Sequence, residues 1–150
     1  MLYSCYLRDS IVYVPTLARR EREPVYTDIE PVGVAPVANT EAVRRTLLDT
    51  IARKNPTIPA PDRKARDAPS IILKYAGVRS WSAFYRNAST WSISEDDGVY
   101  KIIGYRKHPT KKYWEQDPAQ EIQFPAGTTV DDVVDRVIAI LQQASKQKPN

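Results

Sequence analysis

Few side chains in this sequence could carry acid–base, nucleophilic or metal chemistry. His108 is the single histidine and precedes Pro109 in a basic segment, while Cys5 is the single cysteine and lies in an apolar run. A nucleophilic triad needs an activated Ser or Cys with a base and an orienting group, and one Cys with one His cannot close a tetrahedral zinc site. We therefore expect His108 to be a solvated loop residue and Cys5 to be a small buried one.

Two pairs of adjacent carboxylates are the other candidates for chemistry. Asp96-Asp97 precedes Gly98 in a turn-forming sequence, and Asp131-Asp132 stands where a helix is predicted to begin. A tight turn and the positive end of a helix dipole explain both pairs structurally. The chain also has neither GxGxxG nor GxxxxGK[ST], the glycine-rich motifs that hold nucleotide phosphates. The sequence thus predicts no catalytic residue, no metal site and no cofactor, and it disfavours an enzyme.

One polar segment, running from Arg106 to Asp117, mixes basic, aromatic and acidic side chains. These side chains are Arg106, Lys107, Lys111, Lys112, Tyr113, Trp114, Glu115 and Asp117. Such a mixture can hold nucleic acid, with cations on phosphates and rings stacked on bases. It also suits a protein interface, where Tyr, Trp and Arg are over-represented. A third interpretation is a solvated loop whose Trp114 folds back onto the core, and the sequence leaves all three open.

Strands joined by hairpins are predicted near both ends of the chain. "LYSCYL" and "SIVYVPT" are β-type runs joined at Arg8-Asp9-Ser10, and "TWSIS" and "VYKIIGYR" surround the tight-turn sequence "EDDG". The charged run 18–24 is expected to be a solvated hairpin end, with a recognition loop as the alternative. The strand predicted over 25–37 should lie at an edge or bend, because Pro31 and Pro36 cannot donate to a ladder. "EIQFPA" predicts a further short strand.

Two amphipathic helices are predicted, over 39–55 and 128–146, with Asn39 or Thr40 and Thr129 as their N-caps. Their apolar stripes are Val43, Leu47, Leu48, Ile51 and Ala52 in the first, and Val130, Val133, Val134, Val137, Ile138 and Leu141 in the second.

Between these helices the sequence predicts a proline-rich surface loop and two short helical turns. Residues 56–70 contain four prolines, which make a regular helix or strand unfavourable. Gly77 is expected to break the next segment in two, with Ser80 capping the second turn. Trp81, Phe84 and Tyr85 then share one helical face, which is more typical of a core than of a contact surface. The tail 146–150 is expected to fray.

These elements predict one α+β domain over 1–150, with a mainly antiparallel β-sheet of hairpins and two amphipathic helices packed on one face. The net charge of +4 and the pI near 9.2 give a weakly positive field. No apolar run approaches the roughly 18 residues of a membrane span, and the N-terminus has no signal-peptide pattern. We expect a cytoplasmic protein, in keeping with the single cysteine.

Three segments carry a resemblance to a known family: "MLYSCYLRDSIVYVPT", "LKYAGVRSWSAF" and "FPAGTTVDDVVDRVI". With them, most of the chain resembles the immunity proteins of bacterial contact-dependent growth inhibition systems, in the Burkholderia-type group. The resemblance implies a protein that binds the toxic C-terminal domain of an effector, often a nuclease, and neutralises it in the cytoplasm. It implies no catalytic residue and no cofactor.

Contacts with such a toxin are expected on loops and hairpin tips. The candidates are Glu95, Asp96 and Asp97, the segment from Arg106 to Asp117, and the run from Arg19 to Glu23. The positive net charge departs from the acidic character common among proteins that neutralise nucleases, so local acidic clusters or a different toxin surface would have to serve. The alternative is a small basic nucleic-acid-binding protein that uses Arg106, Lys107, Lys111, Lys112 and Trp114.

Overall fold

The structure is a computed structural model that describes residues 1–66 and 68–147. One position of the predicted loop 56–70, residue 67, and the last three of the predicted tail, 148–150, lie outside the described residues. In chain order the elements are β1 (Leu2–Arg8), β2 (Ile11–Arg20), β3 (Tyr26–Pro36), α1 (Thr40–Arg53), β4 (Thr57–Ile58), α2 (Arg63–Arg66), α3 (Ile71–Ala76), α4 (Trp81–Arg86), β5 (Ala88–Asp96), β6 (Val99–Lys107), β7 (Trp114–Gln116), a 3-10 turn (Pro118–Gln120), β8 (Ile122–Gln123) and α5 (Val130–Ser145).

The strands form one sheet in the order β3-β2-β1-β5-β6-β7, with every neighbouring pair in this path antiparallel. β4 pairs with β2, and β8 pairs with β6. The two predicted hairpins turn at Asp9-Ser10 and Asp97-Gly98, whose φ angles are all positive, as two-residue hairpin turns require. The predicted α+β class, with a mainly antiparallel sheet built from hairpins, is confirmed.

β3 is an edge strand with an irregular register, as its prolines predict. Pro15 lies opposite Val32, but the next residue, Thr16, lies opposite Ile29. The two extra residues of β3 include Pro31, whose carbonyl accepts a hydrogen bond of 2.9 Å from the Thr16 hydroxyl. The irregularity therefore places a proline where a ladder donor is not needed.

The first face of the sheet carries the main core, under helices α1 and α5. Tyr3 and Cys5 of β1, Val14 of β2 and Trp91 and Ile93 of β5 are buried there. The helix residues that pack on them are Val43, Leu47, Ile51, Val133, Val134, Val137, Ile138 and Leu141. The prediction of two amphipathic helices on one face is thus confirmed.

The caps and stripes of these two helices follow the sequence closely, with one error. Asn39 and Thr129 accept backbone N–H groups of the first turns, from Ala42 and Asp132. Ala52 was predicted in the buried stripe and is exposed, whereas Thr50 is buried. Thr50 is tolerated there because its hydroxyl donates to the Thr46 carbonyl at 2.8 Å within the same helix.

The second face of the sheet is covered in part by α3 and α4, which pack on Tyr13 and Ala88. Gly77 ends α3 and Ser80 caps α4, as predicted. The structure adds that Ser70 caps α3 and that Gly77 has the left-handed conformation. Phe84 is fully buried and Tyr85 nearly so. Trp81 is only half-buried, so the predicted core stripe reaches the surface at this residue.

The proline-rich connection contains two short regular elements that the sequence disfavoured. β4 pairs in parallel with the end of β2, so that Arg19 lies opposite Thr57, and α2 forms a single turn. Within the described ranges, no helix has the length and apolar character needed to cross a membrane.

Candidate interaction surface

The second face of the sheet has two adjoining grooves that share Tyr6 and Trp81. We call the first the hydroxyl groove: it has a volume of about 320 Å³ and is lined by Ser4, Tyr6, Trp81, Thr90, Ser92, Tyr105, Tyr113 and Trp114. We call the second the Asp28 groove: it has a volume of about 540 Å³ and is lined by Tyr6, Arg20, Tyr26, Thr27, Asp28, Ala68, Pro69, Ser70, Ile71 and Trp81.

The register of β1, β5 and β6 explains why hydroxyl groups meet in the hydroxyl groove. Ser4 lies opposite Ser92, and both Ser92 and Tyr105 belong to the face opposite the main core. The Ser92 hydroxyl is 3.2 Å from the Ser4 hydroxyl and 3.1 Å from the Tyr105 hydroxyl. These hydroxyls hydrogen-bond to one another, so the floor of the groove is polar and uncharged.

The Asp28 groove contains a partly buried acidic side chain. Its Oδ2 atom accepts hydrogen bonds from the Tyr6 hydroxyl at 3.3 Å and from the Ser70 hydroxyl at 3.4 Å. Both are long for hydroxyl–carboxylate bonds. Burial raises the pKa of Asp28 to about 6, and the two hydrogen bonds only partly oppose this effect. This carboxyl group is therefore poorly stabilised in its charged form.

The nearest cation in the Asp28 groove is bound elsewhere. The Nε atom of Arg20 donates to the Thr27 hydroxyl at 2.6 Å, and its Nη1 atom is 3.4 Å from the Glu23 carboxylate. The causes of the raised pKa of Asp28 include no contribution from Arg20. Asp28 thus has no ion-pair partner among the residues that the structure describes.

Trp114 folds back onto the second face, as one of the three interpretations of the segment 106–117 required. Its ring lies 4.8 Å from that of Tyr85, 5.5 Å from that of Trp81 and 6.0 Å from that of Tyr6. The contact with Trp81 is edge-to-face, a favourable arrangement for two aromatic rings. Trp114 therefore belongs to the wall of the hydroxyl groove, and its ring is not free to stack on a base.

His108 organises the loop between β6 and β7. Its Nδ1 atom accepts hydrogen bonds from the backbone N–H groups of Thr110 and Lys111, at 3.2 and 3.1 Å. Its ring lies 4.7 Å from that of Tyr113. These local contacts explain the residue as a structural part of the turn.

Two of the four candidate cations in this segment are engaged within the protein. The Nε atom of Arg106 lies 3.0 Å from the Glu115 carboxylate, and its Nη1 atom lies 3.8 Å from that of Asp117. Lys107 donates to the Arg86 carbonyl at 2.8 Å, and burial lowers its pKa. Lys111 and Lys112 remain exposed, with Lys112 3.4 Å from the Ser82 hydroxyl.

The acidic hairpin tip lies far from these cations. Glu95 and Asp96 end β5 and Asp97 begins the turn, whereas Arg106 and Lys107 end β6, which runs antiparallel to β5. The nine residues of β6 span about 30 Å at the usual strand rise. The structure therefore does not join the acidic hairpin tip and the basic end of β6, two of the three predicted groups of contact residues, into one patch.

The Asp28 groove was missed from sequence. Asp28 is one polar residue of a mixed edge strand, and Tyr6 and Ser70 belong to distant parts of the chain. Only the observed order β3-β2-β1 and the placement of α3 bring these side chains together. In the described part of the chain, no cluster of three or more His, Cys, Asp or Glu could hold a metal ion.

Comparison with known proteins gives a fold and no family. The chain matches no protein-family model and no curated protein. A solved structure of a protein of unknown function from Neisseria meningitidis has 14% sequence identity, a TM-score of 0.64, and a match over 95% of this chain and 93% of that one. A chain of the CdiA-CT/CdiI toxin and immunity complex from Yersinia pseudotuberculosis has 10% identity, a TM-score of 0.60, and coverage of 96% and 95%. At these identities the likeness shows a shared fold over nearly the whole of each chain.

Proposed function

We propose that this chain is an immunity protein, which binds and neutralises the toxic C-terminal domain of a contact-dependent growth inhibition effector. The observation that carries the proposal is the shared fold with a chain of the Yersinia toxin and immunity complex, over 96% of this chain. The resemblance of three sequence segments to immunity proteins of the Burkholderia-type group supports the same role. We further propose that the toxin is a nuclease and that the two proteins meet in the cytoplasm.

The surface of the chain is suited to binding another protein. The two grooves on the second face combine aromatic side chains with a few polar ones, the composition found at the centres of protein interfaces. Trp81, Trp114 and Tyr6 are each held by packing against other rings. Such rigid aromatic anchors lose little conformational freedom on binding, which favours a stoichiometric complex.

The proposal accommodates the positive net charge of the chain. A nuclease surface that holds nucleic acid is basic, and an inhibitor needs negative groups only where it touches that surface. Asp28 in its groove and Asp96 and Asp97 at the hairpin tip are local negative sites. A complex built on either would not require an acidic protein overall.

A growth assay tests this function. The gene next to the one for this chain is sequenced first, and where it encodes a large exported effector, the C-terminal domain of that effector is expressed from an inducible promoter in a host without its own immunity gene. We expect co-expression of this chain to restore growth, and expression of this chain alone to leave growth unchanged. Growth arrest by the chain alone, or no protection by a correctly folded chain, would contradict the proposal.

The alternative is binding to nucleic acid, and it is favoured by the exposed Lys111, Lys112 and Tyr113 beside one another. Its difficulty is that Arg106, Lys107 and Trp114 are engaged within the protein. A nucleic-acid complex would weaken steeply with salt, because bound cations are released from the phosphates. A fluorescence titration of a labelled single-stranded RNA at low and physiological salt distinguishes the two, and the immunity role predicts only weak binding at both.

A further inference from the structure

We propose that the Asp28 groove receives an arginine side chain of the partner protein, whose guanidinium group binds the Asp28 carboxylate between aromatic walls. This inference rests on the proposed function, since it takes the partner to be the toxin domain, and it adds the surface and the chemical group through which the two proteins meet.

The hydrogen bonding of Asp28 leaves an acceptor open. The hydroxyls of Tyr6 and Ser70 both donate to Oδ2. No described residue is found donating to Oδ1. A carboxylate can accept about four hydrogen bonds. Oδ1 is not one of the buried atoms that lack a partner, so it is accessible from the groove. An entering N–H donor can therefore bind at Oδ1.

The charges around the groove favour a cation. The charged or titratable side chains that line it are Tyr6 from β1, Arg20 from β2, and Tyr26 and Asp28 from β3. No titratable side chain of α3 or α4 is among its lining residues. Since Arg20 is held by Thr27 and Glu23, the carboxylate of Asp28 is the one negative group without a compensating cation in this lining. An incoming cation would supply that compensation in a partly buried site, where charge pairs interact more strongly than in bulk water.

The walls of the groove select arginine over lysine. Tyr6, Tyr26 and Trp81 line the groove together with Asp28, and Tyr26 is 38% exposed, so its ring is available to a partner. A guanidinium group is planar, stacks on aromatic rings and sheds its water more readily than an ammonium group. It can donate to Oδ1 while its face lies against a ring. A lysine would keep its charge in the groove but lose the stacking contact.

The test measures binding of the toxin domain to the full chain by isothermal titration calorimetry, with Asp28→Asn as the variant. Asn keeps the shape of the side chain and removes its charge. The matched control is Asp49→Asn, which makes the same change at an exposed position of α1. We expect Asp28→Asn to weaken binding roughly 30-fold or more, as removal of one partner of a desolvated charge pair does, and the control to bind like the wild type.

Proton release gives a second, independent readout. If a guanidinium group binds the Asp28 carboxylate, complex formation near pH 6 should expel the proton that part of the Asp28 population carries. The wild type should then show a binding enthalpy that depends on the ionisation enthalpy of the buffer, and Asp28→Asn should show a smaller dependence. A scan of Arg→Gln changes in the toxin should find one arginine whose loss is not additive with Asp28→Asn.

The outcomes separate this inference from the proposed function. Tight binding by the wild type together with equally tight binding by Asp28→Asn would overturn the inference and leave the immunity role intact. Absence of binding by the wild type would remove both. A loss of binding by Asp28→Asn that no toxin arginine shares, with a lysine change giving the coupling instead, would overturn the choice of arginine.

Discussion

The Tyr85 hydroxyl donates a hydrogen bond of 2.9 Å to the backbone carbonyl of Tyr113, which ties the loop between β6 and β7 to helix α4. Tyr85 is nearly buried, and the loop places Trp114 against Trp81 at the wall of the hydroxyl groove. One hydroxyl thus links a core aromatic residue to the segment in which the sequence predicted partner contacts.

Replacing Tyr85 with Phe should release this loop without disturbing the core. We expect a loss of about 1 kcal/mol in the free energy of unfolding, the usual net value of one hydrogen bond. Amide hydrogen exchange should quicken in residues 108–113 and stay unchanged in α5. Equal exchange rates in the loop of both proteins would show that the hydroxyl does not hold it.

Phe84 and Trp81 should differ in their contributions to stability. Phe84 is fully buried, so Phe84→Ala is expected to lower the free energy of unfolding by about 3–5 kcal/mol. Trp81 is only half-buried, so Trp81→Ala should lower it by less. Urea unfolding of both variants, followed by far-UV circular dichroism, measures the order. A larger loss of stability for Trp81→Ala than for Phe84→Ala would contradict the half-buried position of Trp81 on the second face.

Asp28 should lower stability at neutral pH. Its pKa rises from 3.8 to about 6 on folding, so the folded state holds more protons than the unfolded state between these values. Stability from this group is present at low pH and is lost as the pH rises through about 6. The free energy of unfolding of Asp28→Asn, relative to that of the wild type, should therefore rise by about 2–3 kcal/mol between pH 4 and pH 7, since each pKa unit corresponds to about 1.4 kcal/mol. Thermal unfolding of both proteins across this range provides the measurement, and a difference independent of pH would contradict the assignment.

The Asn55 side chain should contribute strongly to the stability of the fold. Its side chain accepts from the Leu2 N–H at 2.9 Å and donates to the carbonyls of Leu2 and Leu17, at 2.7 and 3.0 Å. Replacing Asn55 with Ala leaves these backbone groups unsatisfied and should cost about 2–3 kcal/mol in chemical denaturation. Asn55→Asp keeps the acceptor for the Leu2 N–H but places a carboxylate oxygen, which cannot donate, against the two carbonyls. Its loss at neutral pH should therefore be at least as large as that of Ala.

Sequence patterns were sufficient for the elements whose signals are local. The turns at Asp9-Ser10 and Asp97-Gly98, the cap at Thr129 and the apolar stripe of α5 depend on residues a few positions apart. The strands and helices that follow from them define the α+β class without further information.

The grooves could not be predicted because their residues are distant in the sequence. The pairing of Tyr6 with Asp28 needs the order of three strands, and Ser70 reaches Asp28 only because α3 packs beside β3. Asn55 was predicted only to end a helix, and its bonds to β1 and β2 depend on where that helix lies. The segment 106–117 was predicted as a contact site from its composition. Composition does not show that Arg106 pairs with Glu115 and that Lys107 donates to the Arg86 carbonyl within the same protein.

The most direct test of the account is a calorimetric titration of the purified toxin domain into the purified chain, with the mass of the product determined by light scattering. A toxin-binding immunity protein predicts a tight complex of one chain with one toxin domain, and an inactive toxin within it. No heat of binding and two separate masses, from proteins that are each folded, would contradict the claim that this chain works by binding a toxin.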